Sequence, residues 1–313
     1  MNAAQNDIVI CHFSDLHVVP NERVPLFQLL NKRMLGYANL KFNRGKTHKE
    51  EYLISLIEKV AKERADMTVI TGDFTSLSLD SEFRRIDRML KDGGLSPERT
   101  MIIPGNHDRY TVTADKRRAF ERGMADWLPE GFSDRNLYPI IKRLGHVCLL
   151  GLDTAVWRGP VRAAGAIDDA SIARMKEVLS SDEMKSLMHV VAVHHPPFHR
   201  GNHLFKDYRT GFVGKEKLIS AIPKDAIVIH GHTHIASRRR MGALDVIGVP
   251  SASNNSGDPA TQLAYNKYTF STDGSFRAES YRLWPKGEGG EISIERTHIP
   301  DACEAPCCNE EQL

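Results

Sequence analysis

"AIVIHGHTHI" (226–235) reads as an apolar strand that stops on three histidines, His230, His232 and His234. Three imidazoles are costly to bury and unnecessary on a surface, so the run asks for a site at the end of a strand. The same shape recurs along the chain. "DIVICHFSD" (7–15), "MTVITGD" (67–73), "TMIIPGNHD" (100–108), "HVCLLGLD" (146–153) and "HVVAVHHPP" (189–197) each start as a short apolar run and break into Asp, Asn or His.

Between these runs lie stretches with helical spacing. "KEEYLISLIEKVAKERAD" (49–66) sets Leu53, Leu56, Ile57 and Val60 on one face, and "SEFRRIDRMLKD" (81–92) and "DDASIARMKEVLSSDEMKSL" (168–187) follow the same period. Strand alternating with helix predicts βαβ units, whose strand ends gather on one edge of a sheet. "ALDVIGVPS" (243–251), "NKYTFSTDG" (266–274) and "SFRAESYRLW" (275–284) read as antiparallel strands separated by turn residues. The fold class is therefore mixed α/β (α+β) with a late antiparallel portion. Residues 1–284 are read as a single domain, with a basic insertion at 23–49. Residues 285–313 form a polar, Gly/Pro-punctuated extension, with one strand at "EISIERTHI" (291–299) and a mobile tail.

Composition narrows the function classes. A chain of 313 residues, 41% hydrophobic, can bury a large core. A formal charge of +2 does not point to nucleic acid. Five cysteines without a disulfide-like framework suit a reducing compartment. No basic leader and no run of the ~18 apolar residues that a spanning helix needs is present, so the expected location is cytoplasmic.

The strand-end residues form one set: Asp15 and His17 in "SDLH", Asp73 in "TGDF", Asn106, His107 and Asp108 in "GNHD", His194 and His195 in "VHHPP", and His232 and His234 in "GHTH". Singly, each has an ordinary reading as a turn residue or a satisfied core histidine. Together they supply imidazole, carboxylate and amide donors, which suit first-row divalent ions such as Zn, Mn, Fe or Ni. The i, i+2 spacing of "DLH" and "HTH" aims paired side chains alike if those segments are extended. Asp73 is the candidate bridge, because the two oxygens of a carboxylate can serve two cations. No cysteine accompanies the clusters, which argues against a structural zinc knuckle.

The order D-x-H, G-D, G-N-H-D, H, G-H-x-H resembles the calcineurin-like metallophosphoesterase superfamily, over residues 15 to 234. The resemblance implies two mixed β-sheets forming a sandwich flanked by helices, and two divalent metal ions at the strand ends. It implies that Asp15, His17 and His234 hold one metal, that Asn106, His194 and His232 hold the other, and that Asp73 bridges them. His107 would be a non-ligand that protonates the leaving oxygen or stabilises the transition state, Asp108 would orient it, and His195 would support a ligand from behind. The implied reaction is phosphoester cleavage by in-line attack of a metal-bound hydroxide, most simply on a phosphodiester.

Two branches compete for the substrate. The cyclic-nucleotide and general phosphodiesterases share the "GNHD", "HHPP" and "GHTH" forms. The UDP-diacylglucosamine pyrophosphatases carry a cap that binds acyl chains, although their better-known form has Arg at the position of His107. Residues 23–49 hold seven Lys/Arg and no Asp/Glu among apolar residues. They read either as a helix with a solvated basic face or as a cap that meets a membrane surface or an amphiphilic phosphorylated substrate. A reading of a different class, a metal-binding scaffold or membrane tether without catalysis, is disfavoured because all seven ligand positions are filled. "HRGNH" (199–203), the basic "SRRR" (237–240), Asn254 and Asn255 read as turn or edge-strand residues that could also face the cleft.

Overall fold

The computed structural model describes residues 6–20, 49–131, 138–159, 162–198, 209–286 and 292–299. The basic segment up to residue 48, residues 199–208 with "HRGNH", and the C-terminal residues with Cys303, Cys307 and Cys308 lie outside the described residues. In chain order the strands are β1 (Ile8–Phe13), β2 (Met67–Ile70), β3 (Thr100–Ile102), β4 (Ile140–Leu144), β5 (Val147–Gly151), β6 (Gly165–Ala166), β7 (Met188–Val193), β8 (Phe212–Val213), β9 (Ile227–His230), β10 (Ser237–Met241), β11 (Leu244–Gly248), β12 (Ala264–Phe270), β13 (Phe276–Pro285) and β14 (Ile292–His298). The helices are α1 (Glu50–Glu63), α2 (Asp80–Asp92), α3 (Val112–Lys116), α4 (Ala119–Gly123), α5 (Asp169–Leu179), α6 (Asp182–Lys185) and α7 (Lys215–Ala221).

Two six-stranded mixed sheets stack on each other, in the orders β14-β13-β12-β1-β2-β3 and β10-β11-β9-β7-β5-β4. The second sheet shows why short apolar runs without polar alternation were its signature. Val147, Leu149, Val190, Ala192, Ile227, Ile229 and Ile247 enter the core shared with the first sheet. Their neighbours Cys148, Leu150, Val191, Val193, Val228 and Val246 pack under Ile172, Met175 and Leu179 of α5 and Leu218 of α7. A strand covered on both faces must be apolar at every position. On the first sheet, α1 buries Leu53, Leu56, Ile57 and Val60, as its spacing predicts. The sandwich flanked by helices is the arrangement that the motif resemblance implies.

The strands meant to carry site residues run parallel where it matters. β1, β2 and β3 are parallel neighbours, as are β5, β7, β9 and β11. Both sets of C-terminal ends therefore open on one edge. Three details differ from the sequence expectation. Residues 244–248 pair parallel with β9 and antiparallel with β10, because they join the second sheet rather than the late meander. The helix read over 168–187 breaks at Ser180 and Ser181, where the Ser181 hydroxyl accepts from Met184 N to start α6. β4, β6 and β8 carry weak periodicity and are legible only from their pairing.

The strand expected at 291–299 is β14, which extends the first sheet through β13. The "SRRR" segment is β10, the outer strand of the second sheet. Among the described residues, no helix is long and apolar enough to cross a membrane.

Candidate metal centre

Tight backbone packing makes the convergence of the strand ends possible. A Cβ on Gly72 would sit 2.5 Å from Gly105 N, and one on Gly231 would sit 2.5 Å from the Asp15 carboxylate. Only glycine lets these loops approach so closely. Of the eight non-glycine residues with positive φ among the described residues, five are proposed ligands: Asp15 (56°), His17 (49°), Asp73 (55°), His232 (63°) and His234 (57°). Left-handed backbone costs on the order of 1–3 kcal/mol at a residue with a side chain, and it persists where surrounding structure demands it.

This corrects the extended geometry assumed for "DLH" and "HTH". Both segments coil, and the coil sends His232 and His234 to different clusters.

The first cluster joins Asp15, His17 and His234. His234 Nε2 lies 3.0 Å from Asp15 Oδ1 and 3.2 Å from His17 Nε2. In the second, His194 Nε2 lies 3.2 Å from Asn106 Oδ1, and the His232 ring packs against His194 with centroids 5.1 Å apart. Asp73 stands between them, with Oδ2 3.9 Å from His17 Nε2 and 3.5 Å from His194 Nε2. Its other oxygen, Oδ1, accepts from the His107 backbone N–H at 2.7 Å. One oxygen of Asp73 faces both clusters, then, rather than one oxygen facing each.

The remaining ring nitrogens are tied down from outside. His194 Nδ1 donates to Thr71 O (2.6 Å) and His232 Nε2 donates to Thr210 O (3.0 Å), which fixes each tautomer and leaves the opposite nitrogen for the cluster. His195 has both nitrogens engaged, Nδ1 with Thr154 Oγ1 at 2.9 Å and Nε2 donating to Ala163 O at 3.0 Å. Burial, then the neighbouring His194 charge, pushes its pKa down to about 3. With both nitrogens so engaged, its ring packs against those of His194 and His232, centroids 4.8 and 4.5 Å apart. His230 is fully buried, its Nδ1 on Gly231 O and its ring edge-on to Phe198, a packing residue of β9.

The donor set fits divalent cations. Burial alone would raise the Asp15 and Asp73 carboxyls, yet both are held below their ordinary range, Asp15 by His234 and Asp73, more strongly, by His194 and His107. Burial alone would lower His194, yet the Asp73 carboxylate drives it up to about 9. Buried carboxylates that pull protons onto neighbouring imidazoles mark a place that calls for positive charge. Imidazole nitrogens with carboxylate and amide oxygens, and no thiolate, suit Zn, Mn, Fe or Ni.

His107 lies at the edge of this centre, grouped with His17 and Asp73. Its Nδ1 donates to Ser76 O at 2.8 Å, and its ring stacks on Tyr110. The expected contact from Asp108 to His107 is replaced by another. The buried Asp108 carboxylate accepts from Gly105 N (2.9 Å), Thr75 N (3.0 Å), Thr75 Oγ1 (3.0 Å) and Phe74 N (3.2 Å). It staples the Asp73 loop to the loop of Asn106, and orients His107 only through that backbone.

Burial and then the Asp73 charge push Asp108 up to about 7. The same loop is held from its other side by Glu82 in the first turn of α2, which accepts from Ser76 N, Leu77 N and Leu79 N.

Sequence reasoning missed these supports. Thr71, Ser76, Thr154, Thr210 and Glu82 act through carbonyls, hydroxyls or one carboxylate, and single residues of these types carry no pattern. It also missed Arg109, fully buried next to Asp108, whose guanidinium binds Glu121 of α4 (2.5 Å) and Asp153 after β5 (2.8 Å). A basic residue directly after "GNHD" was the available signal. Asn254 donates to Thr261 O within its own turn, and the structure brings no contact between it and the clusters among its described hydrogen bonds.

A sequence comparison with curated proteins gives no match. Two solved structures share the fold: a dimetal phosphatase from Danio rerio and the purple acid phosphatase PPD1 from yellow lupin (Lupinus luteus) seeds. The first is 12% identical with a TM-score of 0.56, covering 94% of this chain and 99% of that one. The second is 12% identical with a TM-score of 0.58, covering 99% of this chain and 57% of that one. The sequence model of the calcineurin-like phosphoesterases matches residues 8–236, from the start of β1 to just beyond the last histidine of the site. With its strand-end clusters inside that match, this chain belongs to the calcineurin-like phosphoesterase family.

Proposed function

We propose that this protein is a dinuclear-metal phosphohydrolase that cleaves phosphodiesters. The observation that carries the reading is the single Asp73 oxygen facing two separate donor clusters, with His107 at their edge. Asp15, His17 and His234 would hold one cation, Asn106, His194 and His232 the other, and Asp73 both. The chemistry two such cations supply is neutralisation of phosphoryl charge and acidification of the attacking water.

The protein's own contribution is position. The carbonyls of Thr71 and Thr210 hold the His194 and His232 rings, and the Asp108 staple keeps the Asp73 and Asn106 loops in register. Ser76 O accepts a hydrogen bond from the Nδ1–H of His107, which favours the imidazolium and leaves Nε2–H free to be passed to the departing alkoxide.

The test is a panel of purified, metal-supplemented protein against a cyclic nucleotide, an aryl diester, an aryl monoester and a UDP-linked acylated sugar. Preference for either diester is expected. Preference for the acylated sugar would replace this reading with that of a pyrophosphatase. Asp73→Ala and Asn106→Ala should abolish turnover. His107→Ala should keep its bound metal and lose about 10²–10⁴ in kcat. Full activity of the Asp73→Ala protein would end the assignment, and purified protein that takes up no metal would favour a non-catalytic scaffold.

A further inference from the structure

Thr71 follows β2 and stands two residues before Asp73. Three consecutive residues, His12, Phe13 and Ser14, take hold of each of its polar atoms. The Phe13 carbonyl accepts from its N–H (3.2 Å), the Ser14 hydroxyl donates to its carbonyl (3.1 Å), and His12 Nε2 meets its Oγ1 at 2.8 Å. The carbonyl so fixed is the one that accepts Nδ1–H of His194 at 2.6 Å.

His12 is the costly member of this grip. It interrupts the apolar run "IVICHF" of β1 with a fully buried imidazole, where a Leu or Phe would pack without two ring nitrogens to satisfy. Its Nδ1 lies 3.1 Å from Tyr268 Oη on β12. The direction of donation follows from the far end of the network. Gly248 O on β11 can only accept, so Asn266 turns its amide nitrogen to it at 3.3 Å, and that nitrogen also donates to Tyr268 Oη at 3.1 Å. The phenol O–H is then left for His12 Nδ1, and His12 Nε2–H for Thr71 Oγ1. Burial, then the neighbouring His230, pushes the His12 pKa down to about 3, in keeping with this neutral tautomer.

The line of hydrogen bonds therefore runs from Gly248 through Asn266, Tyr268, His12 and Thr71 to His194. It starts and ends on the second sheet and crosses the first through β12, β1 and the residue after β2. Every side chain along it is fully buried, so each bond lost leaves a polar group without water to replace it.

We propose that His12 is a positioning residue for the metal ligand His194, acting through the Thr71 hydroxyl to fix the carbonyl that holds that ring. The proposal takes from the dinuclear-metal reading only that His194 is a ligand. A displaced Thr71 carbonyl tilts the ring and withdraws Nε2 from Asn106 and Asp73, whose oxygens it faces at 3.2 and 3.5 Å. Groups that orient a ligand from behind account for about 10–100-fold in metal affinity.

The experiment reads the His194 ring directly, by NMR of the metal-free full chain with isotope-labelled histidine. Its Nδ1–H signal is identified by its loss in His194→Gln. In His12→Phe that signal should shift and exchange faster with solvent, and His12→Gln, which keeps an N–H for Thr71, should restore most of the wild-type behaviour. Thr71→Val removes the hydroxyl but not the carbonyl and should reproduce the His12→Phe effect, including where His12→Phe itself fails to fold. The double variant should be no worse than either single one, because both cut the same line. An unmoved His194 signal in Thr71→Val overturns the proposal, even if the protein melts earlier, since His12 is then a packing residue only. A His12→Gln protein no nearer the wild type than His12→Phe assigns the effect to ring shape and overturns it as well.

Metal affinity, measured by competition with a chelator, gives the consequence at the centre. One of the two cations should bind about tenfold or more weakly in Thr71→Val than in the wild type. Wild-type affinity for both cations overturns the positioning role. A wild type that takes up no metal defeats the hydrolase reading alone, and the imidazole signal still decides whether His12 holds His194.

Discussion

Asp108 shows how far a side chain's role can depart from its place in a motif. It follows His107 directly, yet its carboxylate accepts four hydrogen bonds from Phe74, Thr75 and Gly105, and the His107 ring is held by Ser76. Asp108→Asn keeps the shape but turns one acceptor into a donor that would face backbone N–H groups. The expected loss is about 1–3 kcal/mol of stability, read as a lower denaturation midpoint, together with weaker metal retention. His107→Ala should show the opposite pattern, with metal retained and turnover reduced. If Asp108→Asn instead keeps its stability and loses only kcat, the carboxylate acts on His107 and the staple is not its role.

The element scale is where helices are fastened to sheets. Glu63, at the end of α1, accepts from Tyr265 Oη (2.6 Å) and Lys267 Nζ (2.7 Å) on β12. Burial works to raise its pKa, and the hydrogen bonds from Lys267 and Tyr265 overcome that and set it below the usual glutamate value of 4.5. A depressed carboxyl contributes stability that is present above its unfolded pKa and lost as pH falls through the folded one. The wild type should therefore be more stable than Glu63→Gln near neutrality. The difference should close as pH drops below 4.5, as followed by urea titrations at a series of pH values. A gap that stays constant down to pH ~3 would mean that the ion pair contributes nothing.

For the whole molecule, the two sheets meet at the metal centre. β1 and the loops after β2 and β3 supply Asp15, His17, Asp73 and Asn106 from one sheet, and the ends of β7 and β9 supply His194, His232 and His234 from the other. Cations bound there would tie the sheets together along one edge and neutralise two buried carboxylates. Any ligand that binds only the folded state stabilises it, by ~2.7 kcal/mol when its concentration is a hundredfold above Kd. Chelation should accordingly lower Tm by several degrees, and added Mn or Zn should restore it, as measured by scanning calorimetry. An unchanged Tm on chelation, with metal shown to leave, would mean that the ions do not brace the sandwich.

All seven proposed ligands were legible in the sequence, because each ends a strongly apolar run and is imidazole, carboxylate or amide. Burial on both faces leaves such a mark, and a polar group at the end of that run is conspicuous. The long helices α1 and α2 were legible for a similar reason, one apolar face at a period near four. The geometry was decided by tertiary structure.

Whether "DLH" and "HTH" are extended or coiled depends on loops packed at glycine distance from residues far away in the chain. Which oxygen of Asp73 faces the clusters depends on a backbone N–H from a different loop. The supports Thr71, Ser76, Thr154 and Thr210 and the buried Arg109 exist only once two sheets are stacked. A single hydroxyl or carbonyl has no signature until something is placed against it.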